Sequence, residues 1–404
     1  MKRDDRMSSR EAADFLGIKL ETLYAYASRG LVAGARAAGE RGRRYTRADL
    51  EGLRARAAGP AASALRFGEP VLDTRITRLT PEGPEYRGRP AVELARAGTP
   101  FAAVAELLWT GALPERRPHW PEGPALPARE LARLVPRDAS PLAALALALP
   151  ALAAADPLRF DARPEAVCER ARRLIPRLAA SLALALDPGR VPAALAATDP
   201  TRALAAALGV PARGKSLALL ETALVLLADH ELNASTFAAR VAASTGADLY
   251  ACLSAGVAAL SGPLHGGASE QVEMLVREAG DPAGAAAAVR DRMRRGELLP
   301  GFGHPLYPDG DPRHPPLFAA ALALAPRSPR VRTIAAIVAA MEAAGRARPN
   351  VDTSLAAACA ALDLPQGLGG ALFAIGRSAG WVAHVLEQSE TKAVLRPRAR
   401  FISD

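Results

Sequence analysis

Six histidines occur in 404 residues, few enough to weigh one by one. Three stand in polar islands inside apolar stretches: Asp229-His230-Glu-Leu-Asn-Ala-Ser235, Gly262-Pro-Leu-His265-Gly-Gly267 and Gly301-Phe-Gly-His304-Pro-Leu-Tyr307. Glycine beside histidine lets backbone approach a ligand closely, and a loop position leaves the imidazole accessible. Isolated acids and arginines follow. They are Asp311-Pro-Arg313, Asp352 behind the turn of Arg348-Pro-Asn-Val-Asp352, Arg377 in Phe373-Ala-Ile-Gly-Arg-Ser-Ala-Gly380, and Arg396 in Leu395-Arg-Pro-Arg-Ala-Arg400. Neutral histidines with one carboxylate base can take a proton from the carbon next to a carbonyl and hold the enol. Arginines suit bidentate binding of planar carboxylates. Together these residue types point to condensation of an enolisable carbonyl compound with a polycarboxylate. Taken singly, each arginine also reads as a surface ion pair, and 396–400 as a solvated tail.

The other histidines read differently. His119, in Arg-Pro-His-Trp-Pro, reads as a solvated loop residue. His384, in Gly-Trp-Val-Ala-His-Val-Leu, reads as a hydrogen-bonded core residue. His314, next to two prolines, reads as a surface residue. Familiar motifs are missing: His230-Glu231 lacks the second histidine of a zinc-protease helix, and Gly301-Phe-Gly303 lacks the third glycine of a dinucleotide loop. No P-loop, Gly-x-Ser-x-Gly or EF-hand occurs.

The elements that must position these residues are expected to be helices. Half the chain is apolar and only 4% aromatic, with Ala and Leu, both strong helix formers, dominating. This excludes a disordered chain, a coiled-coil rod and a disulfide miniprotein. The length leaves room for about two to three domains. Residues 112–215, rich in Ala, Pro and Arg, read as packing helices. Cys168, Cys252 and Cys359 are scattered and fit a reducing, cytoplasmic setting. The start Met-Lys-Arg-Asp-Asp-Arg has no apolar stretch behind it, so no signal peptide is expected. The longest apolar run, Pro141–Ala155, contains Pro150 and is shorter than the ~20 residues of a membrane span. No membrane partner is expected.

Charge is uneven. The chain carries 51 Lys/Arg against 42 Asp/Glu, and residues 1–60 supply +5 of the net +9. A basic module on a nearly neutral body suggests that a polyanion would meet the N-terminus; an arginine-rich composition throughout is the alternative. Ser8 and Ser9 can cap a helix over Arg10–Leu16, Gly17 breaks it, and a second short helix is expected over Leu20–Ser28. This spacing is that of a helix-turn-helix. Thr22, Tyr24, Tyr26 and Arg29 on the second helix could reach phosphates or base edges. Arg41-Gly-Arg-Arg-Tyr45 reads as a basic hairpin that presents Arg43 and Arg44, and another helix begins near Thr46. The segment SSREAADFLGIKLETLYAYASRGLV resembles the winged helix-turn-helix of MerR-type and excisionase-type proteins. A helical hairpin for oligomer contacts or tethering is the alternative. Ala58–Ser63 reads as a linker.

From about Val71 to Phe401 the chain resembles the bacterial form of citrate synthase. Seven blocks carry the resemblance in order: TRITRLTPEGPEYRGRPAVELA, LLADHELNASTFAARVAAST, SGPLHGGASEQV, GFGHPLYPDGDPR, RPNVD, GRSAGWVAHVLEQ and LRPRAR. The resemblance implies an all-α fold with large and small domains, here 61–265 with 363–404 and 266–362, preceded by a helix-turn-helix domain over 1–60. It implies a homodimer acting on oxaloacetate and a coenzyme A ester, with no metal or bound cofactor. Asp352 would be the base that removes a methyl proton from acetyl-CoA. His265 would donate to the thioester oxygen, and His304 would polarise the ketone of oxaloacetate. His230, Arg313, Arg377 and Arg396 would hold carboxylates, Arg396 reaching from the partner subunit, and Phe373 would line the oxo-acid pocket. Two positions depart from the family. Pro308 stands where a basic residue is common, which bears on coenzyme A phosphates, and Ser140 stands where histidine is usual. A transcription regulator that uses the same scaffold as a carboxylate or CoA-ester sensor is the second reading, because a pure sensor needs the arginines but no general base.

Overall fold

The computed structural model describes residues 6–16, 20, 23, 34–36, 43–46, 50, 72–136, 139–391 and 393–397. The chain divides into two compact units, 1–73 with 396–404, and 74–395.

In the first unit, β1 (Arg6–Ser8) leads into α1 (Ser9–Leu16), followed by β2 (Gly34–Arg36) and β3 (Arg43–Thr46). The helix starts one residue before the expected position. Its capping is reciprocal: Ser8 Oγ accepts from the Glu11 amide, and the Glu11 carboxylate accepts from the Ser8 amide at 2.8 Å. The strands form an antiparallel sheet in the order β1-β3-β2, which places Arg43, Arg44 and Tyr45 of the expected basic hairpin on its central strand. Ala12, Ala13, Leu23, Tyr45 and Leu50 make a small core. Arg43 is exposed and Arg44 half-buried on β3. Thr22, Tyr24, Tyr26, Arg29 and the linker at 58–63 lie outside the described residues.

The body opens with a small antiparallel sheet, β4 (Thr77–Thr80), β5 (Gly83–Tyr86) and β6 (Arg89–Pro90), and continues as helices. Those of its first half are α2 (Ala91–Arg96), α3 (Phe101–Thr110), α4 (Ala128–Leu134), α5 (Pro141–Ala154), α6 (Pro164–Ser181), α7 (Ala183–Leu186), α8 (Val191–Leu195) and α9 (Pro200–Leu208). They are the packing helices expected over 112–215 and their neighbours. Ser140 caps α5, accepting from the Leu142 amide at 3.2 Å. The second half contains α10 (Gly214–Leu227), α11 (Ala234–Ser244), α12 (Leu249–Leu260), α13 (Ala268–Ala279), α14 (Ala285–Arg294), α15 (His314–Leu324), α16 (Pro329–Ala343), α17 (Val351–Ala361) and α18 (Gly369–Thr391).

The long helix α18 is buried along most of its length and packs against α3, α10, α11 and α12. Glycines set the closeness of its contact with α10. A Cβ at Gly376 would fall 2.9 Å from Leu227 Cβ, and one at Gly380 would fall 2.3 Å from Asp229 Oδ1. Only a bare backbone fits there. The end of α10 is also held by Tyr86, whose hydroxyl meets the Val225 carbonyl at 3.0 Å and the Asp229 carbonyl at 3.2 Å. A buried polar chain completes the anchorage. Arg240 of α11 reaches Glu387 (2.9 Å), Gln388 (3.0 Å) and His384 Nδ1 (3.5 Å) on α18, and His384 Nε2 lies 3.4 Å from Asp229. His384 is therefore the hydrogen-bonded core histidine that its apolar helix suggests.

Candidate active site

Five segments bring the predicted residues together: the loop between α10 and α11, the turn before α13, the loop from Gly301 to Arg313, the start of α17, and α18. The α10–α11 loop is short and tightly specified. Asn233 caps α11 by accepting from the Thr236 amide, and the Glu231 amide donates to Asp229, with Glu231 held at φ 56°. His230, at the centre of this loop, is buried.

The Gly301–His304 loop is stapled to the segment that carries Asp352. The Gly303 amide donates to the Arg348 carbonyl and the Asn350 amide to Gly301, both at 2.8 Å. Asn350 Nδ2 donates to the Gly303 carbonyl (3.0 Å), while Asn350 Oδ1 accepts from the Asp352 amide (3.0 Å) and starts α17. Thr353 Oγ1 donates back to Gly301 (2.7 Å). Gly301 and Gly303 have φ near +80°, and a Cβ on Gly301 would meet Thr353 Oγ1 at 2.3 Å. The glycines on either side of Phe302 thus permit the pairing that joins the loop carrying His304 to the segment carrying Asp352.

Arg313 is locked by Asp311, which accepts from its Nε (2.9 Å) and Nη2 (2.8 Å) and also from the Val351 amide (3.0 Å). Burial opposes the charge of Arg313, but Asp311 outweighs it and keeps the guanidinium charged. The same pairing holds Asp311 below the usual carboxylate range despite its burial. Tyr307, on this loop, bonds His230 Nε2 at 3.0 Å and packs its ring 4.8 Å from His304. The rings of His230 and His304 meet edge-on at 5.3 Å.

A second cluster lies along α18. His265 Nε2 is 2.8 Å from Ser235 Oγ, which also contacts Asn233 Oδ1 and the Trp381 indole. The His265 ring stands edge-on to Phe373 at 5.8 Å, and the Arg377 guanidinium lies 4.7 Å over the same phenyl ring. Arg377 spends its Nε on the Leu227 carbonyl, while Nη1 and Nη2 are buried with no partner among the described residues. Two buried guanidinium nitrogens with no acceptor among those residues are suited to pairing with a carboxylate.

The electrostatics suit proton transfer at neutral pH. Burial lowers His265 to about 4, helped by Arg377, and lowers His304 to about 4, helped by Arg313. Burial and the neighbouring Arg313, Arg377 and His304 also keep His230 neutral. Asp352 is pushed up to about 6 by burial against the pull of Arg313, with Asp311 adding repulsion. A carboxylate at this level is still ionised at pH 7 yet basic enough to accept a proton.

The family profile described as citrate synthase, C-terminal domain, matches residues 66–398, and that of a helix-turn-helix domain matches residues 6–57. The chain belongs to the citrate synthase family. It is 34% identical to a citrate synthase of Haloferax volcanii over 79% of this chain and 89% of that one. It is 38% identical to 2-methylcitrate synthase 1 of Corynebacterium glutamicum over 45% and 48%. A crystal structure of citrate synthase from Thermotoga maritima superposes with a TM-score of 0.69 at 28% identity, covering 83% of this chain and 94% of that one. The Thermoplasma acidophilum citrate synthase, solved with carboxymethyl coenzyme A and oxaloacetate, gives a TM-score of 0.72 at 25% identity, covering 86% and 96%. The chain is thus a citrate synthase-type enzyme with a helix-turn-helix domain at its N-terminus.

Most residues expected from sequence converge: His230, His304, Arg313 and Asp352 in one cluster, and His265, Phe373 and Arg377 in the other. Arg396 is exposed and belongs with the first unit, outside the body. His314 is not the surface residue its prolines suggest. It is buried, its Nδ1 2.6 Å from Ser354 Oγ and its ring stacked on Phe318, because Arg313 and His314 open α15 where it packs on α17. His119 is exposed. Sequence reasoning did not single out Tyr307, Ser235 or Trp381, though all three stand within the quoted blocks. Among the described residues no group of three or more His, Cys, Asp or Glu could hold a metal ion, and no helix is long and apolar enough to cross a membrane.

Proposed function

We propose that the chain condenses an acyl-CoA, acetyl-CoA or propionyl-CoA, with oxaloacetate to give citrate or 2-methylcitrate and coenzyme A. The observation that carries this reading is the staple between the Gly301–His304 loop and the Asp352 segment, beside Arg313. It ties the loop that carries the neutral imidazole of His304 to the first turn of α17, which carries the basic carboxylate of Asp352, with Arg313 close to both.

Asp352 takes a proton from the carbon next to the thioester carbonyl. His265 is held at Nε2 by Ser235. Once the Ser235 hydroxyl turns from Asn233 Oδ1 to donate to that nitrogen, the ring proton sits on Nδ1 and is given to the thioester oxygen, so that an enol forms in place of a carbanion. The enol carbon attacks the ketone carbon of oxaloacetate. His304 Nδ1 accepts from the Leu306 amide at 3.1 Å, so the neutral ring carries its proton on Nε2, ready for the ketone oxygen. Arg313, Arg377 and His230 hold the carboxylates, Phe373 walls the pocket, and Arg396 of a second subunit completes it. Water then cleaves the citryl thioester. A large domain of 61–265 with 363–404 would close on a small one of 266–362, excluding water until hydrolysis. Pro308 offers no cation for the coenzyme A phosphates, while Arg346 and Arg348 are exposed on the strand-like approach to Asp352 and would supply it.

The test is thiol release from each acyl-CoA with oxaloacetate, in the wild type and in Asp352→Asn. Turnover lost in the variant supports the assignment; turnover kept in it removes Asp352 as the base. The helix-turn-helix match favours a further role: DNA binding through the first unit, with Arg43 and Arg44 on the sheet. If ligands bind without turnover, regulation of that binding by a carboxylate sensor becomes the leading account.

A further inference from the structure

We infer that Tyr307 is a positioning residue of this site: its hydroxyl sets the tautomer of His230, and its ring sets the plane of His304. The inference rests on the reading of these histidines as oxo-acid ligands. Three contacts converge on the one side chain. The hydroxyl lies 3.0 Å from His230 Nε2. The ring lies 4.8 Å from the His304 ring at an interplanar angle of 35°. The Arg313 guanidinium stands 6.0 Å from the ring centroid. Tyr307 is only 4% exposed, so water does not compete for these contacts.

The direction of the hydrogen bond follows from who holds a proton. Burial pushes the phenol up to about 12, so its proton stays on and is available to donate. His230 is neutral and has one proton to place. The groups facing it are Asp229 and Glu231 on its own loop, His304, Tyr307 and Arg313 on the next, and Arg377 from α18. The two guanidinium charges and His304 disfavour a second proton. The phenol, its proton held, faces Nε2, so the single proton of His230 is placed on Nδ1, where it is available to a carboxylate. Nε2 then presents a lone pair, and Tyr307 donates to it.

The chain achieves this by spacing. Tyr307 follows His304 by three residues in a turn closed by its own amide on the His304 carbonyl (3.0 Å). That turn stacks the two rings and swings the hydroxyl onto His230. The two histidines come from segments more than seventy residues apart in sequence, and Tyr307 touches both. Removing its hydroxyl leaves the Nε2 lone pair open to a proton, so His230 becomes more basic.

The experiment uses the full chain with 15N-labelled histidine and compares wild type with Tyr307→Phe, which keeps the ring. The wild type is expected to show His230 as the neutral Nδ1–H tautomer between pH 5 and 8. In Tyr307→Phe its titration midpoint should rise by about one pH unit, with KM for oxaloacetate about tenfold higher and kcat within about threefold. Tyr307→Leu, lacking the ring as well, should lower kcat further through His304. An Nε2–H tautomer in the wild type, or an unmoved midpoint in Tyr307→Phe, overturns the role of the hydroxyl. Equal kcat in the two variants overturns that of the ring. If Tyr307→Phe does not fold, the wild-type tautomer alone decides. If the wild type proves inactive, the functional reading fails while the resonances of His230 still test this inference.

Discussion

Replacing Asp352 by Asn separates the demands of folding from those of chemistry. Asp352 is pushed up to about 6 from an ordinary 3.8, burial being the main cause and Arg313 opposing it. Such a group favours the fold while neutral. That contribution is complete below about pH 4 and is lost as pH rises through about 6. At pH 7.5 the ionised carboxylate therefore costs stability. A two-unit shift corresponds to about 3 kcal/mol, and the partly open face of the side chain reduces this to roughly 2 kcal/mol. Asp352→Asn should melt a few degrees above wild type at pH 7.5 and level with it at pH 4. The same change should cost about 10²–10⁴-fold in turnover and leave oxaloacetate affinity within about threefold. For wild type, kcat/KM should fall below about pH 6, where Asp352 takes up a proton, well above the titration of His265 and His304 at about 4. Differential scanning calorimetry at the two pH values, with thiol release across pH 5–8, reads all of these. A variant that is less stable at pH 7.5, or that turns over within tenfold of wild type, refutes the reasoning.

Other expectations follow from particular contacts. Arg377→Gln removes the two unpartnered buried donors and should weaken oxaloacetate binding by about 30–100-fold, measured by calorimetry. Gly380→Ala would place a Cβ 2.3 Å from Asp229 Oδ1 and 2.5 Å from the Ala228 carbonyl; it should destabilise by about 3 kcal/mol and disturb the His230 loop, which urea unfolding and oxaloacetate KM would report. Arg346→Ala with Arg348→Ala should raise KM for acyl-CoA several-fold and leave KM for oxaloacetate unchanged. DNA binding should weaken steeply with salt and vanish on removal of residues 1–57; a salt-insensitive signal, or one that survives the truncation, would exclude this unit as the DNA-binding element.

The sequence made the helical class legible because Ala and Leu carry helix preference locally, and the glycine-histidine islands legible because flexible backbone beside imidazole is rare. Arg377 was visible as a lone charge in an apolar helix. Its unpartnered nitrogens were not, since they depend on α10 lying against Gly376 and Gly380. His314 was misread for a similar reason: adjacent prolines suggest an exposed turn, but here they start a helix whose first turn is buried against α17. Tyr307 hid in plain view, because an aromatic three residues after a histidine reads as packing until a distant loop brings His230 to its hydroxyl. The staple between Gly301–His304 and Asn350–Thr353 joins segments about fifty residues apart, and no local pattern announces such a pairing. Most of the expected site residues were nonetheless in the sequence, and what the fold adds is their protonation and their partners.

The central claim is formation of a carbon–carbon bond between an acyl-CoA and oxaloacetate. The most direct measurement supplies [2-13C]acetyl-CoA with oxaloacetate and reads the products by 13C NMR, with labelled propionyl-CoA in parallel. The account predicts label in a methylene of citrate, or in the methyl-bearing carbon of 2-methylcitrate, at a rate matching thiol release and lost in Asp352→Asn. Label recovered only as free acetate or propionate, or left in the thioester while oxaloacetate binds, would contradict it.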